Sequence, residues 1–148
     1  MDFKFSVTES GFSDIHAHLT YCDKSFVPPL GSRVDIDAYA LKIFHEADRF
    51  EAWASDVLIG LLAVYCRRSH GGVAFVTSIS VSPGWQGRGV AGTLLENCLD
   101  FVETSGLRAI DLEVAQHNAR AIRFYEKFGF VTVENGGEKK RMRLNLTE

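Results

Sequence analysis

Between Thr77 and Gly92 the chain reads as a strand, a Pro83-Gly84 turn and a glycine-rich entry into a helix: Thr77-Ser78-Ile79-Ser80-Val81, Ser82-Pro83-Gly84-Trp85, then Gln86-Gly87-Arg88-Gly89-Val90-Ala91-Gly92. No other stretch restricts the fold as much. A helix entered this way leaves several backbone N–H groups without intrahelical partners at the positive end of the helix dipole. Glycines let an anion approach that backbone without meeting a Cβ. The stretch therefore asks for a phosphate-bearing ligand held by main-chain amides.

Two registers fit the glycines. Gly87 to Gly92 spells G-x-G-x-x-G, the dinucleotide fingerprint, with Asp111 placed where its ribose-binding acid would stand. Against that register, Ser82 to Gln86 separate the strand from the first glycine. Only one strand–helix–strand unit follows, too little for a doubly wound sheet. Read one residue earlier, Gln86-x-x-Gly89-x-Ala91 resembles the pyrophosphate loop of the GNAT family of N-acetyltransferases. That family's second signature is matched by Glu113-Val114-x-x-x-Asn118-x-x-Ala121-x-x-x-Tyr125-Glu126-Lys127-x-Gly129-Phe130. The resemblance is strong over about residues 50–134, and over 1–49 it extends only to element order.

The rest of the chain is read from periodicity and turn residues. Phe3, Phe5 and Val7 alternate with polar residues as a half-buried strand over 3–8. Ser13 or Asp14 caps a short helix ending near Tyr21, residues 28–32 form a loop, and Asp35 or Asp37 caps a helix through Tyr39, Ala40, Ile43, Phe44 and Ala47. Arg49 to Ser55, Val57 to Arg67 and Val73 to Val81, joined by turns at Asp56 and at 69–72, form an antiparallel meander. Ala91, Leu94, Leu95, Cys98, Phe101 and Val102 mark the buried stripe of a helix over Gly89–Thr104. A strand over Ala109–Ala115 follows, then a helix opened by Asn118 and stopped by Gly129. Phe130 to Glu134 and Lys139 to Leu146 form a closing hairpin. The expectation is a single α/β domain over 1–148 with a mixed sheet of six to seven strands and about four helices. Residues 1–49 supply the first strand and the acceptor side, 50–134 the acetyl-coenzyme A-binding core and 135–148 the closing strand.

The resemblance implies an enzyme that moves the acetyl group of acetyl-coenzyme A directly to a primary amine. It implies pantetheine pairing along Ile79-Ser80-Val81, with the Val81 N–H as oxyanion donor. Pyrophosphate would lie on Gln86, Gly87, Arg88, Gly89, Val90, Ala91 and Gly92, and Asn118 would bond the pantetheine arm. Arg88, Arg120, Arg123 and Lys127 could meet a 3′-phosphate, and each could equally be a solvated helix charge. Tyr125 is the expected acid for the leaving thiolate; its spacing also suits packing on a stripe with Ile122 and Phe128. Glu113, on one strand face with Asp111, is the candidate base if partly buried, or else a solvated carboxylate. Many relatives carry a glutamate where Ser78 and Ser80 stand, which leaves deprotonation through water open. Tyr21, Arg33, Tyr39, Tyr65 and Ser78 are placed on the acceptor side by position alone. A small-molecule amine is the expected acceptor; the alternatives are a protein N-terminus, as in the ribosomal-protein alanine acetyltransferases, or a silent coenzyme A-binding module.

Composition bears on partners. A formal net charge of −3 and a pI near 5.9 argue against a general nucleic-acid or anionic-membrane partner. No apolar run has the length of a membrane span, and Met1 to Lys4 does not open a signal peptide. Cys22, Cys66 and Cys98 lack C-x-x-C spacing and suit reduced thiols in a cytoplasmic protein, with Cys98 in the core. His16 and His18 beside Asp14 find no third ligand nearby, so no metal is expected. A homodimer is compatible with these features.

Overall fold

The computed structural model describes residues 3–66 and 71–146. One seven-stranded sheet organises them, in the order β1-β2-β3-β4-β5-β7-β6. The strands are β1 (Phe3–Val7), β2 (Asp48–Ala54), β3 (Val57–Tyr65), β4 (Val73–Val81), β5 (Ala109–Ala115), β6 (Val131–Asn135) and β7 (Lys139–Asn145). Four helices accompany them: α1 (Phe12–Tyr21), α2 (Ile36–Glu46), α3 (Val90–Thr104) and α4 (Ala119–Lys127). Only β4 and β5 pair in parallel, through the α3 crossover; every other neighbouring pair is antiparallel. No helix among the described residues is long and apolar enough to cross a membrane.

The continuous apolar run of β3 follows from its central place, since a strand covered on both faces needs no polar alternation. Leu61 and Ala63 pack with Ile15, Leu19, Ala40 and Ile43 of α1 and α2. Leu62 and Val64 pack with Leu94, Leu95 and Cys98 of α3. Gly60 sets how closely α3 lies on the sheet, because a Cβ there would stand 2.9 Å from Val90 Cγ1. The first residue of α3 is thereby seated against β3, and the glycine-rich loop with it.

The expected elements are found with small shifts. Gly11, not Ser13 or Asp14, is the N-cap of α1, with the Asp14 carboxylate accepting from the Gly11 N–H at 2.9 Å. Asp35 caps α2 through the Ala38 N–H. The 28–32 loop contains a 3-10 turn over Leu30–Ser32 whose Leu30 is buried. The alternation of β1 misleads, because Phe5 and Val7 are exposed. The strand is the sheet's edge, and a shallow groove of about 280 Å³ remains between it and α3. Residues Arg67 and 69–70 of the expected strand end and turn, and Met1 and Asp2, lie outside the described residues. Cys22 and Cys98 are buried and Cys66 half-buried, all as free thiols.

The entry into α1 is held by a buried ion pair that sequence reading did not anticipate. Glu51 and Arg49 are 0% and 3% exposed, with Arg49 Nε 3.3 Å from Glu51 Oε2. Glu51 also accepts from Ser6 Oγ, from the N–H groups of Glu9 and Ser10, and from Ser10 Oγ. Arg49 donates to the carbonyls of Ser10 and Phe44 at 2.6 and 3.2 Å. Glu51→Gln leaves the guanidinium buried without its counter-charge and should cost about 3 kcal/mol. For a chain of this size that is a fall in Tm of about 10 °C. Calorimetry checks it: a Glu51→Gln protein melting like the wild type would show the pair to be dispensable.

Candidate active site

The site begins where β4 leaves β5. Their parallel pairing starts at Val73↔Ala109 and stops at Val76↔Leu112, so Thr77 to Val81 have no β5 partner. On the other edge β4 stays bound to β3. The Ser82 N–H donates to the Ile59 carbonyl at 2.8 Å, which makes Ser82 and Ile59 a hydrogen-bonded pair. Antiparallel pairs alternate, so Val81↔Gly60 and Ile79↔Leu62 are the pairs whose N–H and C=O groups turn away from β3. They turn toward the gap that β5 has vacated.

The gap runs toward the N-terminus of α3. Gly89 is the N-cap with φ +80°, a conformation that disfavours any residue with a Cβ. No side chain caps this helix, and the first intrahelical bond is Thr93 N–H to the Gly89 carbonyl. The amides of Val90, Ala91 and Gly92 are thus without intrahelical partners. By contrast, Asn118 caps α4 by accepting from the Ala121 N–H at 3.3 Å. The side-chain amide of Gln86 donates to the Val81 carbonyl at 3.0 Å, folding the loop back on the strand end. Arg88 lies over the Trp85 ring at 4.9 Å and stays beside the loop.

Tyr125 is 8% exposed on α4 and belongs to the same core cluster as Val81 and Val114. Its ring meets Phe124 and Phe130 edge-on at 5.4 and 5.8 Å, and Ile122 and Phe128 pack against the same cluster. The hydroxyl makes no hydrogen bond among the described residues, and burial pushes its pKa up. Glu113 is exposed, not partly buried, and pairs with Lys139 Nζ at 3.1 Å. The buried acid of that strand face is Asp111. Burial opposes its ionisation, but Arg143 and Arg141 at 2.6 and 2.7 Å outweigh that and hold the carboxyl below its usual range. A carboxylate so engaged is no free ribose ligand. Arg120, Arg123 and Lys127 are exposed on α4.

The acceptor-side residues come together in part: Tyr39 lies by Ser78 and Arg33 and packs on the same cluster as Tyr65, while Tyr21 stands apart. Tyr39 spends its hydroxyl on Thr77, 2.6 Å from the carbonyl and 2.8 Å from Oγ1. Ser78 Oγ is buried without a hydrogen-bond partner in the described residues. Arg33 lies over the Phe26 ring, and Lys42 over that of Tyr65. Tyr21, 68% exposed, stands at a separate cleft of about 530 Å³ formed with the β2–β3 turn and the 82–85 loop.

His18 is the buried titratable group here that sequence reading placed on a helix without a role. Its position between Ile15, Leu19 and Cys22 on one helical stripe was the available signal. Nδ1 faces the Leu58 carbonyl at 3.1 Å, an acceptor only, so Nδ1 carries the hydrogen. Nε2 then accepts from Ser80 Oγ at 2.9 Å. Burial, partly offset by the bonds at Leu58 and Ser80, lowers the pKa from 6.5 to about 4. The unfolded chain binds this proton more readily, so stability is full above pH 6.5 and lost as pH falls toward 4. The loss is on the order of 3 kcal/mol. Denaturant titrations from pH 7 to 4.5 should show the decline in wild type and a flatter profile in His18→Gln. Equal slopes would remove His18 as the cause.

A family model described as Acetyltransferase (GNAT) family matches residues 17–130. The chain is 44% identical over 57 residues to a [Ribosomal protein bS18]-alanine N-acetyltransferase of Salmonella typhimurium, covering 38% of each. It is 30% identical over 104 residues to a mycothiol acetyltransferase of Brachybacterium faecium, covering 67% of this chain and 31% of that one. The chain thus spans only about a third of the length of these curated relatives. Among solved structures, the PaiA N-acetyltransferase of Thermoplasma acidophilum in complex with coenzyme A superposes at a TM-score of 0.78, with 16% identity over 98% of this chain and 99% of that one. The ribosomal-protein-S18-alanine N-acetyltransferase of Escherichia coli does so at 0.76, with 20% identity over 98% and 96%. These two likenesses are of fold.

Proposed function

Because the chain belongs to the GNAT family of acetyltransferases, we propose that it transfers the acetyl group of acetyl-coenzyme A directly to a primary amine. One observation carries the reading: the unpaired edge of β4 at Ile79 and Val81 leads to the uncapped N-terminus of α3. An extended amide-bearing arm can pair with such an edge as an added strand. The amides from Gly87 to Gly92 then hold the pyrophosphate, with Arg88 beside them.

The Val81 N–H, turned into the gap, is the donor available to a developing oxyanion. Tyr125, kept protonated by burial, gives its proton to the departing thiolate. Glu113 takes the amine proton, directly or through water, from an open sheet face that an acceptor can reach. Direct attack suits the thiols as well. Burial raises all three, Cys66 to about 12 with Asp48 adding to it, so none is a ready thiolate for a covalent intermediate.

The acceptor is, on this reading, a small-molecule amine. A second reading, the N-terminal amine of a protein, is favoured by the 57-residue similarity to an alanine N-acetyltransferase. A screen of small amines and N-terminal peptides with acetyl-coenzyme A, followed by thiol release, separates them. Coenzyme A binding with no turnover on any acceptor would leave a silent binding module instead.

A further inference from the structure

Thr77 occupies two breaks in the sheet at once. Toward β3 it is the extra residue of a bulge, because Ala63 faces Ser78 while Val64 faces Val76. Toward β5 it is the first residue past the last pair, Val76↔Leu112. A bulge bends its strand and increases the local twist, so the bend that carries β4 off β5 is located at this residue.

One side chain closes on that residue. The Tyr39 hydroxyl has a single hydrogen to give, and at 2.6 Å the Thr77 carbonyl takes it. The Thr77 hydroxyl, at 2.8 Å, can then donate to the Tyr39 oxygen. The Tyr39 ring packs on the cluster formed by α1, α2 and β3. Two residues before it, Asp37 meets His16 Nε2 of α1 at 2.5 Å. The phenol is therefore presented by a helix pair tied together at that end. Burial raises its pKa despite the Thr77 bond, so it remains a donor.

We propose that Tyr39 is a positioning residue for the acyl-donor slot: it clasps the bulged Thr77 and so fixes the angle at which β4 leaves β5. It acts through β4 and touches neither the acyl donor nor the acceptor. The proposal rests on reading the gap as the acetyl-coenzyme A site. It differs from the sequence expectation, in which Tyr39 lines the acceptor pocket.

The test is calorimetry with coenzyme A and steady-state kinetics on wild type, Tyr39→Phe, Thr77→Val and Thr77→Ser. Tyr39→Phe should weaken coenzyme A binding and raise the KM for acetyl-coenzyme A about tenfold, the worth of one lost hydrogen bond. The acceptor KM and kcat should stay within about twofold. Thr77→Val removes only the hydroxyl contact and leaves the carbonyl bond, so it should move the same quantities in the same direction by a smaller factor, and Thr77→Ser, which keeps the hydroxyl, should match the wild type. The β3-bonded amides of Ser80 and Ser82 should exchange faster in Tyr39→Phe. Unchanged coenzyme A affinity in a folded Tyr39→Phe overturns the proposal, as does a rise confined to the acceptor KM. Should Tyr39→Phe fail to fold, the Val and Ser pair at Thr77 decides by the same criterion. A wild type that binds no coenzyme A refutes the functional reading, and the proposal with it.

Discussion

Replacing Tyr125 by phenylalanine is expected to lower turnover by about 10²–10⁴ while leaving the fold and acetyl-coenzyme A affinity as they are. The ring makes its contacts with Phe124 and Phe130 through carbon, and these survive the change. The oxygen has no hydrogen bond among the described residues to lose, so no buried partner is orphaned. Burial keeps the phenol protonated at neutral pH, the state a proton donor must be in. A loss confined to kcat, with unchanged Tm and unchanged calorimetric affinity, assigns the acid. Full turnover on a good acceptor would transfer the role to a bound water. A fall in Tm would instead make the hydroxyl structural.

Gly89→Glu should remove coenzyme A binding altogether. At φ +80° the added Cβ costs about 1–2 kcal/mol of backbone strain, which a domain of this size tolerates. Apart from its chain neighbours that Cβ would meet nothing within 4 Å, which leaves room for the side chain at the entry to α3. There its carboxylate competes for the α3 N–H groups and repels a phosphate. Like charges brought together cost several kcal/mol, a loss of about 10³-fold in affinity or more. Gly89→Ala carries the strain without the charge and should lose no more than about tenfold. A folded Gly89→Glu protein that binds coenzyme A normally would end the assignment of this loop to phosphate.

Much of the architecture could be read from the chain because it depends on local requirements. The Val73–Val81 strand, the glycine-rich entry into α3, the α3 stripe and the Asn118 cap each follow from periodicity, helix-entry chemistry or capping within a few residues. So does the spacing from Glu113 to Tyr125. Periodicity also put Asp111 and Glu113 on one face of β5, and they share it.

What stands on that face was a matter for the tertiary structure. β7 enters the sheet between β5 and β6 and sets Arg141 and Arg143 against Asp111, leaving Glu113 to Lys139 and solvent. The edge position of β1 exposes Phe5 and Val7 despite their alternation. The fold also turned Gln86 back on Val81, set His18 on Ser80 and Tyr39 on Thr77, and buried Arg49 with Glu51. Each joins groups whose meeting depends on which strands and helices become neighbours. A sequence pattern specifies the direction in which a side chain leaves the backbone. The charge, hydrogen-bond partner and degree of burial that it finds there are supplied by chain distant in sequence, and only packing brings that chain into place.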